Sequence, residues 1–171
     1  QLSDKLEEID KVIIETQEPG MRIISKEGPL TNYADRDHCI EYIVAWCLLN
    51  GVLDSDSYSD DSASDPRIDH LRQKTTTLEN KKYTEIYYDL NHRAIPNKVI
   101  VKLNSGEEFE EEILYPLGHK KRREEATSFL REKFVNSMDN INLDKDKLIN
   151  FYDIDDLDSI NIYKILENIT K

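Results

Sequence analysis

The sequence predicts an α+β protein: a small mixed or antiparallel sheet with an apolar helix packed on it, followed by C-terminal helices. Three observations carry this. Residues Ile40 to Leu49 (IEYIVAWCLL) are apolar on nearly every side, and a helix of that kind is a buried one. Lys98 to Leu103 alternates, with Val99, Val101 and Leu103 on one face. After Asn104-Ser105-Gly106 the chain returns with Phe109, Ile113 and Tyr115 on one side, the pattern of a hairpin. Beyond Gly118 the period becomes helical, with Ala126, Phe129, Leu130, Phe134 and Met138 near helical spacing.

In chain order, Lys5 to Thr16 reads as a strand, because Val12, Ile13 and Ile14 are β-branched and the run stops at Glu18-Pro19-Gly20. Met21 to Lys26 reads as a short helical turn leading to the Gly28-Pro29 break. Asp35 is the expected cap of the apolar helix, since its carboxylate can accept first-turn amide protons. Asn50-Gly51 supplies the left-handed stop. The helix from Asp35 to Asn50 spans roughly 22 Å, too short to cross a membrane. The stretch LDSDSYSDDSASDPRID is acidic and serine-rich and reads as a solvated loop. Its alternating acids lack the glycine and glutamate of a calcium loop. Pro66 to Gln73 is a short helix with Pro66 at a permitted first-turn position, and Lys74 to Glu79 is a strand by its β-branched content. Asn80 to Asn97 is polar and tyrosine-rich, with no regular structure assigned. Glu108 to Tyr115 carries so many glutamates that its outer face is solvated or forms a charge-protected edge. Helices are expected at Glu124 to Met138, Asp144 to Tyr152 and Leu157 to Thr170.

The bulk properties limit what such a chain can do. The content of 38% hydrophobic and 34% charged residues in 171 is that of a globular chain, not a disordered one. A formal net charge of -12 argues against nonspecific nucleic-acid binding. It leaves an anionic small substrate open, because local charge sets the potential in a cleft. No apolar run reaches membrane-spanning length. The chain opens with Gln1, without an initiator Met or an apolar leader, and is expected to be a processed or truncated piece. Cys39 and Cys47 lie eight residues apart on the same expected helix, roughly 12 Å along its axis, too far for a disulfide. Unpaired thiols fit a reducing compartment.

Phosphate-loop, zinc and serine-nucleophile signatures are missing from the sequence, and His38, His70, His92 and His119 show no metal-ligand spacing. The chemistry-bearing stretch is the mouth of the apolar helix. His38 and Tyr42 are four apart and share a face there, and Arg36 offers a planar fork for a carboxylate. These groups can line an acid/base site, or they can be a cap-region histidine and a buried tyrosine bonded to backbone. The run His119-Lys120-Lys121-Arg122-Arg123 is either a solvated helix start or an attractor for an anion.

The runs GPLTNYADRDHCIEYIVAWCLLNG, DPRIDHLRQK and YPLGHKKRREEA resemble the C-terminal part of the MmgE/PrpD family. That family contains 2-methylcitrate dehydratase, cis-aconitate decarboxylase and iminodisuccinate epimerase. The resemblance implies that residues 1–118 form the family's small α+β domain and that 119–171 return to a large all-helical domain absent here. It places the active site in the cleft between those domains, in an enzyme that uses no cofactor and no iron–sulfur cluster, commonly as a homodimer. The implied activity is a hydro-lyase converting 2-methylcitrate to 2-methyl-cis-aconitate in propionate breakdown, the isolated chain being inactive. Alternatives are a cis-aconitate decarboxylase-like enzyme and a non-catalytic dimerisation module. Tyr42 and His38 become candidate catalytic residues, and Arg36, Lys120, Arg122 and Arg123 candidate substrate-binding residues. The implied partners are a small tricarboxylate and the chain's own N-terminal helical domain, with neither nucleic acid nor membrane. The implied location is the mitochondrial matrix in a eukaryote and the cytoplasm in a bacterium.

Overall fold

The computed structural model describes residues 2–138 together with 146, 161 and 163. The chain divides into two units, residues 1–116 and residues 117–171. The helices expected over 144–152 and 157–170 fall largely outside the described residues.

The first unit is built on a four-stranded sheet. Strand β1 is Ile9–Thr16, preceded by a 3₁₀ turn over Ser3–Glu8 where the sequence suggested the strand had already begun. Helix α1 (Glu18–Ile24) follows at once. The Gln17 side chain caps it by accepting from Gly20 N at 2.8 Å, and Pro19 occupies a permitted first-turn position. Helix α2 is Tyr33–Asp37 and helix α3 is Ile40–Asn50. The single helix expected from Asp35 is therefore two. Asn32, not Asp35, caps α2, accepting from Asp35 N at 3.0 Å. The Asp35 carboxylate is occupied by Thr31, Asn32 and Lys26. His38 ends α2 and Cys39 precedes α3, so His38 and Tyr42 lie on different helices. Gly51, at φ 76°, stops α3 as expected, in the left-handed region where a side chain is strained.

The acidic connection is ordered into a 3₁₀ turn at Asp56–Tyr58 and a short helix α4 at Asp60–Ala63. Helix α5 (Pro66–Gln73) and strand β2 (Thr75–Glu79) follow as expected. Helix α6 (Lys81–Tyr88) fills part of the stretch left unassigned. Strands β3 (Asn97–Leu103) and β4 (Glu108–Ile113) form the expected hairpin. The sheet is mixed: β1 runs parallel to β2 and antiparallel to β3, and β3 is antiparallel to β4. Parallel pairing needs a crossover, which here consists of α1 through α5.

Side chains on a strand alternate between faces. Val12 and Ile14 of β1 and Val101 and Leu103 of β3 meet Ile40, Tyr42 and Ala45 of α3 and Ile68 and Leu71 of α5 in one core. Ile9 joins them although it lies three residues before Val12, because a register shift between Ile9 and Lys11 restores the phase. On the opposite face Lys98 pairs with Glu110 at 2.7 Å and Lys102 with Glu108 at 2.5 Å. The edge strand β4 thus carries its charge outward.

In the second unit the described helix is α7, Arg123–Ser137. Ala126 is buried, whereas Phe129 and Leu130 of its apolar stripe are exposed.

Candidate active site

Glu41 is a carboxylate in the first turn of an apolar helix, only 8% exposed. A charge so placed is costly unless every lone pair is met. Its Oε1 accepts from Ser25 Oγ and Thr77 Oγ1, each at 2.6 Å. Its Oε2 accepts from Lys26 N and Cys39 Sγ, each at 3.2 Å. Burial pushes the Glu41 carboxyl up, but the Ser25 and Thr77 hydroxyls and nearby backbone amides outweigh it and hold the group below its ordinary value. The same burial pushes the Cys39 thiol up.

This network pins the segment after α1, the start of α3 and the edge strand β2 around a cleft of about 560 Å³. Lys26, Arg72 and the hydroxyls of β2 give the cleft its donors, while Glu27, Glu41 and Asp69 supply carboxylates. Arg72 is held in place, donating to Asp69 Oδ1 at 2.8 Å and to Gly28 O at 2.9 Å, with a buried Nε that meets no partner. Lys26 Nζ lies 3.4 Å from Asp35. Its two cations are both engaged by carboxylates and three carboxylates line it, so the cleft offers hydroxyl donors but no surplus positive charge for an acid. Sequence reasoning missed it because the lining comes from four separated stretches, around residues 21–29, 41, 69–73 and 75–77. The threonine run was read only as strand.

The residues expected from the sequence occupy the other flank of α3. Tyr42 is 2% exposed and its hydroxyl donates to Ser57 O at 2.7 Å, with its ring stacked on Tyr58. Burial pushes its phenol up, partly offset by Arg36. Arg36 is 5% exposed, donates to Tyr58 O at 2.8 Å and pairs with Asp60 at 2.7 Å. Its Nε is buried without a partner. Both side chains therefore fasten the 54–60 segment to α2 and α3. Within that segment Asp54 Oδ1 accepts from the amide and the hydroxyl of Ser57. The His38 side chain is 58% exposed, with Nδ1 2.5 Å from Asp37 Oδ1. In the second unit Arg122 pairs with Glu125 at 2.8 Å, and Lys120 and Arg123 are exposed. No group of three His, Cys, Asp or Glu among the described residues is arranged to hold a metal ion. No described helix is long and apolar enough to cross a membrane.

The sequence is similar to that of known proteins. The profile of the MmgE/PrpD C-terminal domain matches residues 1–150. A Yarrowia lipolytica protein named 2-methylcitrate dehydratase, mitochondrial, is 50% identical over 130 residues, covering 75% of this chain and 25% of that protein. A Saccharomyces cerevisiae protein named probable 2-methylcitrate dehydratase is 45% identical over 145 residues, covering 80% and 28%. The 2-methylcitrate dehydratase of Escherichia coli K12 is 46% identical over 128 residues, covering 74% and 26%. The chain thus spans about a quarter of the length of the relatives it matches.

Proposed function

The chain belongs to the MmgE/PrpD family as its C-terminal domain, and from that premise we propose that it is part of a longer hydro-lyase acting on 2-methylcitrate. The observation that carries this reading is the 50% identity over 130 residues to a protein of that name. The reaction removes water: a base takes the proton α to a carboxylate, the C–O bond to the hydroxyl breaks, and a double bond forms between the two carbons. An acid protonates the departing hydroxide, and cations hold the carboxylates. The product is 2-methyl-cis-aconitate, a step of propionate breakdown. The elimination is redox-neutral, and the enzyme runs it without a cofactor.

Within this chain the roles divide by exposure. His38 is the titratable group open to a substrate and to a covering domain. Tyr42 has its hydroxyl committed to Ser57 O, so it acts as an acid only if that bond opens. Its role, with that of Arg36, is to hold the 54–60 wall in place. Lys120, Arg122 and Arg123 attract the tricarboxylate. Residues 1–118 form the small domain and 119–171 return to the upstream helical domain, which closes the site and supplies the remaining acid/base groups. The protein works as a homodimer, in the mitochondrial matrix of a eukaryote or the cytoplasm of a bacterium, and this chain alone is inactive.

The test is to supply the full-length protein separately with 2-methylcitrate, citrate and cis-aconitate, following water loss and carbon dioxide release. Water loss from 2-methylcitrate without gas is expected. Carbon dioxide from cis-aconitate, or no turnover of any of the three, would overturn the reading.

A further inference from the structure

Apart from Glu41 and Asn50, helix α3 is apolar around its circumference, yet the sheet and α5 cover only part of it. Ile43, Val44 and Cys47 on its uncovered flank are half-buried. With Val99 of β3 and Phe109 of β4 they line an apolar groove of about 440 Å³. Glu110 and Glu111 sit at its border, on the strand that ends the sheet. A helix with this pattern is stable where its remaining face is also taken out of water.

We propose that this groove is the seat of the upstream part of the full-length polypeptide, an apolar segment with a basic residue that meets Glu111 on the face of Phe109. This rests on the reading that the chain is one domain of a longer protein. Two observations single out that occupant. The relatives are about four times the length of the matched region, and the family domain matched is the C-terminal one, so the greater part of such a protein precedes residue 1. Leu2 itself lines the groove, so a polypeptide continuing upstream of Gln1 is delivered to its lip.

Cys47 reports on the groove from within. The experiment measures its alkylation by a maleimide, read by peptide mapping, in the full-length protein and in this chain alone. Slowing by about tenfold or more in the full-length protein is expected, because the reagent must reach the thiolate through solvent. Phe109→Lys in the full-length protein, or the milder Val44→Ser where circular dichroism shows that the first variant has unfolded, should return the rate toward that of the chain alone. Equal rates in both proteins would overturn the proposal. So would slowing of the isolated chain as its concentration rises, which would indicate a second copy. Faster alkylation of the isolated chain on deleting residues 117–171 would identify its own C-terminal part as the occupant, and would overturn it too. Turnover is assayed on the same samples. A protected Cys47 without dehydration of 2-methylcitrate refutes the enzymatic reading alone, and dehydration with an unprotected Cys47 refutes the groove alone.

Discussion

Replacing Glu41 by Gln removes one charge from a buried site and changes its shape hardly at all. With the amide oxygen toward Ser25 and Thr77, the new NH₂ faces the Lys26 N–H, a donor against a donor. Turned round, it faces two hydroxyls that must both rotate. Hydrogen bonds to a charged group are worth about 1.5–3 kcal/mol each, and a buried donor left unpaired costs about 1–3 kcal/mol. The four bonds share one carboxylate and are not additive, so the loss at pH 7 is about 2–4 kcal/mol. The sign of the pH dependence follows from the carboxyl being held below its ordinary value in the folded chain. Its stabilisation is complete above the unfolded value, about 4.3, and fades as pH falls through the lower folded value. The gap between wild type and Glu41→Gln therefore narrows on acidification. Urea unfolding followed by the fluorescence of Trp46, the single tryptophan, measures it at pH 7 and at descending pH. A gap under about 0.5 kcal/mol at pH 7, or one that widens in acid, would refute the argument.

Gly20→Ala should cost about 1–3 kcal/mol in thermal unfolding, because the added methyl lands 2.5 Å from Thr16 Oγ1 and against the capping oxygen of Gln17. A neutral variant would show that the Gln17 cap is dispensable. Arg36→Ala should speed proteolysis within residues 53–60, whereas Asp60→Ala, at a side chain 86% exposed, should stay within about 0.5 kcal/mol of wild type. Equal effects would mean that the ion pair, and not the bond to Tyr58 O, holds the segment. Tyr42→Phe should lower stability by about 1–3 kcal/mol through the unpaired Ser57 carbonyl. In the full-length enzyme it should leave the pH profile of turnover unchanged; loss of one limb of that profile would make Tyr42 an acid. Burial raises the thiol of Cys39, so it should resist disulfide reagents at pH 8 until urea unfolds the chain, and rapid native labelling would contradict its placement.

The hairpin, the strand β2, the helix at Pro66 and the left-handed stop at Gly51 were legible in the sequence because each rests on local periodicity or turn chemistry. The break between α2 and α3 was not. Asp35 is a good cap in isolation, but Asn32, three residues earlier, satisfies the first turn and Asp35 turns back to Thr31 and Lys26. Helix α6 was hidden by β-branched and aromatic residues that carry weak helical preference. The mixed sheet was foreseen as a class, but a parallel neighbour for β1 drawn from residue 75 onward leaves no local trace. The same is true of Glu41: nothing near it in sequence announces that Ser25 and Thr77 will meet its oxygens. Arg36 and Tyr42 were noticed for their residue types, while their partners, the carbonyls of residues 57 and 58, have no side-chain signature.

The strand lying between two neighbours, β1, is also the first to leave the ribosome within this chain. One of its partners is made some sixty residues later and the other later still. Until then its isoleucines have no ladder to join, and closing loops of that length is slow compared with helix formation. The crossover helices can therefore form before the sheet exists, and assembly waits for the hairpin of β3 and β4. A nascent chain halted near residue 95 would hold its helices around a strand with one flank still open, which is the form most exposed to mispairing with a neighbour.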